Sequence, residues 1–317
     1  MTLARAGALV VVLLATPAAA RGDEPLDAIP LEPIDVSAPP EPVPDAAAEN
    51  PSRFVEVVGA DEVRERLETA VDVLEDVAGV RVRRQGGLGS FATISVRGSS
   101  PSKVPIFVDG APVGEARSGL VSLEQLSSAD LDRIEVYRGF APAPLGEAGI
   151  GGAVTLVTRA APEGGAPEVS SGLSAGSFDT WRGWVSMRSA LADAPPGESV
   201  PGLRLTCSAL RTQGDYEFVS DHGTPLAPSD DVTLRRVNND FLQASAAARL
   251  RIPLAGWDLD GSLSFVRTDQ GLPGLDYDQA EHARLEGADA RLRLVASAPA
   301  LLDGLLALET GVYASLR

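Results

Sequence analysis

Leu131-Asp132-Arg133-Ile134-Glu135-Val136-Tyr137-Arg138-Gly139, followed closely by Ala148-Gly149-Ile150-Gly151-Gly152-Ala153-Val154, is the stretch on which the reading of this chain turns. Arg133–Tyr137 alternates charged and apolar residues as a short strand does, and Gly149–Val157 reads as a glycine-led strand that closes a unit. Working back toward the N-terminus, Val104–Val108 is an apolar strand ending at the turn signal Asp109-Gly110. Thr93–Val96, Val80–Val82 and Phe54–Val58 are further short strands. Between them Thr69 opens a helix carrying Val73, Leu74 and Val77 before Gly79 stops it. Asp61 caps another with Val63 and Leu67, and Leu123, Leu126 and Leu131 suit a third. Residues 53–162 are therefore expected to form an α+β domain.

Working forward, the texture changes to a period of two. Leu203, Leu205, Cys207 and Ala209 alternate with Arg204, Thr206 and Ser208, and Leu242, Ala244, Ala246, Ala248 and Leu250 repeat the pattern. So do Trp257, Leu259, Leu263 and Phe265, then Leu292 and Leu294, then Leu306, Leu308, Val312, Ala314 and Leu316. About ten residues per strand with one apolar row is the signature of an antiparallel transmembrane β-barrel, and about seven strands fit into residues 163–317. The links near 191–202, 252–256 and 297–304 are shorter, whereas 213–239 and 268–286 are long and polar, as periplasmic turns and external loops are. Only the first hairpin, at Gly176, needs a short outer loop. Alternation alone leaves a soluble β-sandwich as the rival. Cys207 is expected to be a small buried hydrophobe on its strand.

The N-terminus decides the compartment. Arg5 precedes an apolar run from Ala6 to Ala15 and the small-residue stretch Thr16–Ala20, a secretory signal in residues 1–20 rather than a membrane helix. Residues 21–52 are dense in Pro, Ala, Asp and Glu and are expected to be a disordered arm. Inside it Ile34-Asp35-Val36-Ser37-Ala38 is a β-prone patch suited to adding a strand to another protein's sheet edge, or else an apolar cluster in a linker. The net charge of −17 argues against nucleic acid as a partner. His222 and His282 have no partner at ligand spacing, so no metal site is expected. With no nucleophile elbow, metal triad or paired histidine, no catalytic residues and no cofactor are assigned.

Five elements, in order, resemble the plug domain of TonB-dependent outer-membrane receptors. Val71–Val80 is similar to its "dLL…pGV" element, Ile94-Ser95-Val96-Arg97-Gly98 to "isIRG", and Pro105–Pro112 to "vlvDGvp". Leu131–Gly139 resembles "ieRIEVvrGp" and Ala148–Val154 resembles "aiGGviNi". More loosely, Gly214–Phe218, Asp221–Thr224 and Asn238–Phe241 resemble the second hairpin of cobalamin-type receptors. The chain departs from the family at Leu145-Gly146-Glu147 and at Thr155-Leu156-Val157-Thr158, where local packing is open to differ.

The resemblance implies an active-transport receptor of the Gram-negative outer membrane, bathed in outer-membrane lipid, with plug and arm reaching the periplasm. Its ligand is scarce, such as a ferric siderophore or cobalamin. A metal chelate, another vitamin-type ligand, haem or an oligosaccharide is equally compatible with the sequence. It also implies a partner, TonB with its inner-membrane energising complex, engaging Ile34, Asp35, Val36, Ser37 and Ala38 as a TonB box. Arg97, Glu135 and Arg138 are expected to lock plug to barrel, or else to be ordinary solvated strand charges. Two plug loops are expected to face the ligand: Gln85-Gly86-Gly87-Leu88-Gly89-Ser90 and Gly114-Glu115-Ala116-Arg117-Ser118. Such receptors close at about 22 strands, so seven strands read as an incomplete barrel and the chain as apparently truncated. The alternatives are a passive porin, a non-transporting plug-fold binding or signalling protein, and a non-functional receptor fragment.

Overall fold

The computed structural model describes residues 5–6, 10–13, 55–59, 69–113, 128–139, 151–193, 199–224, 228–254, 256–301 and 306–316. The apolar N-terminal run contributes two short strands, β1 (Arg5–Ala6) and β2 (Val10–Leu13). The α+β domain follows. Its helix α1 (Ala70–Asp76) starts where the sequence supplies its own cap. The Thr69 hydroxyl accepts from the Asp72 amide at 3.2 Å, and the Asp72 carboxylate accepts from the Thr69 amide at 2.8 Å. Asp72 also pairs with Arg84, so the cap ties the helix to the next strand. Ala70, Val71, Val73 and Leu74 are the face α1 buries. Val77 caps the C-terminus, and Gly79, at φ +77°, reverses the chain.

Around this helix lie β3 (Val55–Gly59), β4 (Val80–Arg84), β5 (Ala92–Val96), β6 (Ile106–Val108), β7 (Ala111–Val113), β8 (Leu131–Tyr137) and β9 (Ala153–Thr158). β4 and β5 form a hairpin, and the others form one sheet in the order β3-β8-β9-β6-β7. Only the β6–β9 pairing in that sheet is parallel. Gly152 enters β9 at φ +108°, where any Cβ would sit 2.2 Å from the Tyr137 carbonyl oxygen. Ile134, Val136, Val154 and Leu156 from the sheet meet Val71 and Leu74 from α1 with no side chain more than 2% exposed. Each such side chain contributes about 1.5–3 kcal/mol through burial.

Residues 168–316 form the second unit, whose principal strands are neighbours in the order in which the chain makes them. These are β10 (Glu168–Gly176), β11 (Thr180–Ala190), β12 (Gly202–Thr212), β15 (Phe241–Leu254), β16 (Trp257–Gly271), β17 (Arg284–Leu301) and β18 (Leu306–Leu316). All are antiparallel, which matches the expected seven. The β10–β11 turn is tight, with Phe178 and Asp179 both left-handed. The long connection after β12 is not merely loop: β13 (Glu217–Ser220) and β14 (Val232–Arg235) pair within it as a ribbon.

The sheet is open. β10 pairs with β11 alone among the described residues, and the far edge of β18 is met by β1 and β2. A valine-rich run beside an unpaired edge satisfies backbone groups that would otherwise face solvent or lipid. One face presents a continuous apolar belt set by register: Met187, Leu205, Ala248, Leu263, Leu292 and Ala314 lie side by side across six strands. Leu263 is 54% exposed and Leu205 40%, so this row points away from the protein. Cys207 belongs to the adjacent row and is exposed, not buried as expected. The reason is that its neighbours Arg204 and Thr206 are the residues turned toward the α+β domain.

Candidate functional site

The candidate site is the seam where the α+β domain meets the inner face of the sheet, and its contacts are polar. Two turns of the domain and the end of β9 make most of them. At the turn before β8, Asp130 accepts from Arg204 at 3.1 Å and from Thr206 at 2.8 Å, and Ser128 bonds Arg182. Ser186 extends this cluster, accepting from Arg204 at 3.0 Å. Burial pushes the Asp130 carboxyl above its ordinary range, outweighing the opposing pull of Thr206 and Arg204.

The second cluster is built on Asp109, which takes the left-handed conformation at φ 47° in the turn after β6. Its carboxylate accepts from the Thr158 amide at 2.8 Å and the Thr158 hydroxyl at 2.6 Å. Arg249 of β15 donates to the Thr158 carbonyl at 3.1 Å and to its hydroxyl at 3.0 Å, while its other nitrogens hold Asp260. Arg293 of β17 closes the ring by donating to the Asp109 carbonyl at 3.2 Å. Just beyond β9, Glu163 pairs with Arg251, which also holds Asp258 at 2.7 Å. These bonds cluster toward the end of the sheet that carries the short turns.

At the opposite end the loop Gln85–Ser90 reaches the strand that follows the first long connection. Gln85, Gly86 and Gly87 are exposed, Leu88 is half-buried, and Gly89 and Ser90 are buried. Gly89 sits at φ +82° with its α-carbon so close to Phe241 that a Cβ would lie 2.2 Å from the ring. The close approach that this glycine permits is thus to the sheet. Gly87 faces Asn239, whose side chain donates to the Gly214 carbonyl at 2.8 Å. The two long connections are stapled together there, Asn238 donating to the carbonyls of Ala280 at 2.9 Å and Ala283 at 2.8 Å.

Of the residues expected to lock the two units, two have the following partners within the α+β domain. Glu135 is buried and accepts from Arg133 at 2.7 Å and from the Tyr137 hydroxyl at 2.6 Å, all on β8. Arg138 pairs with Glu56 of β3, alongside the reversal at Gly79. Arg97 is exposed in a left-handed turn. Bonds across the seam run through Asp109, Ser128, Asp130, Thr158 and Glu163 on the domain side. A missed signal was available: Arg204, Arg249, Arg251 and Arg293 occupy the polar row of strands whose other row is apolar, and cations there need anionic partners. The patch Ile34–Ala38 and the loop Gly114–Ser118 lie outside the described residues.

Residues 48–153 match the TonB-dependent Receptor Plug Domain family. Over those residues the chain is similar to the plug domain of TonB-dependent receptors. The chain is 32% identical over 126 residues to the vitamin B12 transporter BtuB of Vibrio cholerae, covering 39% of this chain and 20% of that one. It is 37% identical over 90 residues to the BtuB of Vibrio vulnificus, covering 28% and 15%. The chain thus spans about a fifth or less of the length of these curated relatives. Among solved structures, the copper transporter OprC superposes with a TM-score of 0.60 at 18% identity, over 83% of this chain and 38% of that one. The alcaligin outer-membrane receptor FauA of Bordetella pertussis gives 0.59 at 16%, over 84% and 40%. The shared fold is the plug followed by antiparallel strands of a barrel that is unclosed here.

Proposed function

We propose that this chain supplies the plug and opening strands of an outer-membrane receptor that actively imports a scarce ligand of the cobalamin or ferric-siderophore kind. The observation that supports it best is the chemistry of the seam. The plug has a dry core of its own but is fastened to the wall through hydrogen bonds and ion pairs. Such bonds exchange with water at modest net cost, whereas an apolar seam would not. A plug held this way is suited to being displaced and restored without unfolding.

In this reading residues 1–20 direct export, residues 21–52 form the periplasmic arm, and Ile34–Ala38 pairs with TonB as an added strand. Cleavage of the first segment would remove β1 and β2 from the edge of β18. The loop Gln85–Ser90, at the end with the long connections, together with Gly114–Ser118, faces the ligand. Covalent chemistry is not required.

The test is uptake of radiolabelled cyanocobalamin and of ferric siderophores by a receptor-deficient Gram-negative strain expressing the gene, with and without TonB. Accumulation that needs TonB and is lost in Ile34→Pro supports the reading. Uptake that persists without TonB indicates a passive pore. A protease-resistant plug in the periplasm with no heat-modifiable membrane band indicates a binding or signalling protein.

A further inference from the structure

Four consecutive residues, Asn238-Asn239-Asp240-Phe241, each reach a different part of the molecule. Asn238 donates to the carbonyls of Leu272 at 3.3 Å, Ala280 at 2.9 Å and Ala283 at 2.8 Å, all in the second long connection. Asn239 donates to the Gly214 carbonyl at the start of the first and stands against Gly87 of the plug. The Asp240 carboxylate pairs at 2.8 Å with Arg284, the first residue of β17, which also holds Asp269 of β16 at 2.8 Å. Phe241 opens β15, is 2% exposed, and lies against Gly89 of the plug.

This joint has little slack. Asn238 is left-handed at φ 51°. A Cβ on Gly214 would lie 2.4 Å from the Asn239 carbonyl oxygen, and one on Gly271 would lie 2.5 Å from that of Asn238. The Asp240 carbonyl accepts from the Gly271 amide at 2.8 Å. With the backbone pinned on both sides, Phe241 cannot shift without moving the three residues before it, and a hydrogen bond stretched past about 3.5 Å is lost. The same run fastens more of the second connection: Gln279 accepts from the Val237 amide and donates to the Arg235 carbonyl, both at 3.0 Å, and Arg236 donates to the Gly274 carbonyl at 2.6 Å.

We propose that Asn238–Phe241 couples the plug to the external loops. While the plug loop Gln85–Ser90 is seated on Phe241 the second connection is held in order, and when that loop withdraws the bonds at Asn238 and its neighbours give way and the connection loosens. The route is indirect, since the plug meets this run at Phe241 and Asn239 whereas the connection meets it at Asn238. Coupling of this kind is reciprocal, so whatever braces residues 272–283 from outside also holds the plug loop down by the same factor. The device rests on these contacts alone and is independent of what is imported, because it is read in purified protein.

Amide hydrogen exchange on the full chain folded in detergent micelles tests it. The Leu272 amide, bonded to Ala283, and the Ala280 amide, bonded to Pro273, report the connection, and the Ser90 amide, bonded to Gly87, reports the plug loop. Gly89→Ala drives a Cβ into the Phe241 ring and is expected to quicken exchange at Ser90 and, at a distance, at Leu272 and Ala280 by about tenfold. Gly98→Ala is the control: it carries the same left-handed strain, at φ +76°, with nothing within 4 Å, and should leave Leu272 and Ala280 unchanged. Asn238→Ala runs the coupling backward and should quicken Ser90. A loosened Ser90 with Leu272 and Ala280 unchanged in Gly89→Ala overturns the proposal. So does equal quickening in Gly98→Ala, which reduces the effect to a weakened plug. Should Gly89→Ala cost Leu74 its protection, or leave Ser90 as it was, Asn238→Ala decides alone, and an unchanged Ser90 there overturns the coupling.

Discussion

The interior of the plug and the seam it makes with the wall are built from opposite materials. In the interior, Val71, Leu74, Ile134, Val136, Val154 and Leu156 exclude water almost completely. Across the seam, the contacts include Asp130 with Arg204 and Thr206, Thr158 with Arg249, and Asp109 with Arg293. Burial is non-directional and is lost only by exposing apolar surface, so the interior favours a permanent unit. A hydrogen bond lost to water is largely replaced by another, so the seam favours reversible attachment. One chain thus holds a body whose core resists water and a joint whose bonds water can replace.

The comparison breaks most completely at Ile134. Ile134→Asp places an unpaired carboxylate at a fully buried position between α1 and the sheet. It is expected to unfold the plug while sparing the strands outside it. The check is amide hydrogen exchange: Leu74 loses protection, whereas β16 and β17 keep theirs.

Arg249→Ala is expected to do the converse. It removes the donor to the Thr158 carbonyl and hydroxyl and leaves Asp260 to Arg293. Losing one partner of a buried pair costs about 2–4 kcal/mol, confined here to the seam. Exchange at Thr158 should quicken by more than tenfold while Leu74 is unaffected. Equal quickening at both positions would mean that plug and wall form one cooperative body.

Much of this division was legible in the sequence, and the part that was not has a physical cause. The alternation of Leu205, Cys207 and Ala209 with Arg204 and Thr206 announces a strand with two unlike faces, but period alone does not say which face meets protein. Period alone puts Cys207 inside as readily as out, whereas the α+β domain meets the row of Arg204 and leaves Cys207 exposed. The helix was readable to its cap because Thr69 and Asp72 are three residues apart. The seam was not, because Asp109 and Arg293 are separated by 184 positions and neither carries a local signal of the other. The expectation that Glu135 helps lock plug to barrel comes from the family resemblance, which says nothing of its neighbours on the strand. Its partners Arg133 and Tyr137 are two residues away on the same face of β8, where the pleat brings them together.

A smaller effect separates the two regions by pH. In Asp72, of the helix cap, burial pulls the carboxyl upward, but the bonds from Arg84 and Thr69 together outweigh it and hold it below its ordinary value. Its contribution to the plug is present above the unfolded value and is lost as pH falls through the depressed folded value. Asp130, in the seam, is raised by burial. The seated plug therefore holds that proton more tightly, and seating weakens as pH rises from the unfolded value through the raised one. As pH falls, the Asp130 contact should tighten first, between its raised value and the ordinary one, and the α1 cap should loosen only below that, so exchange at Asp130 and at Asp72 should respond in opposite directions in successive pH ranges. Asp130→Asn keeps an acceptor for Thr206 and Arg204 and should flatten only the seam's response.

The least effect is expected where two arginines face each other across one register position. Arg188 of β11 and Arg204 of β12 are paired residue to residue. Arg204 is 7% exposed and bonded to Asp130, whereas Arg188 is 50% exposed and paired with Glu168. A solvated pair holds two long side chains in place for little Coulomb gain, so Arg188→Ala should alter seam exchange by less than about twofold. Arg204→Ala strands Asp130 in a buried site and should quicken it at least tenfold. Because residue type, strand pairing and neighbours match so closely, the ratio of the two effects isolates what the plug adds. If the two substitutions behaved alike, Arg204 would be an ordinary strand charge and the seam would have to be held by its other contacts, at Asp109, Ser128, Thr158 and Glu163.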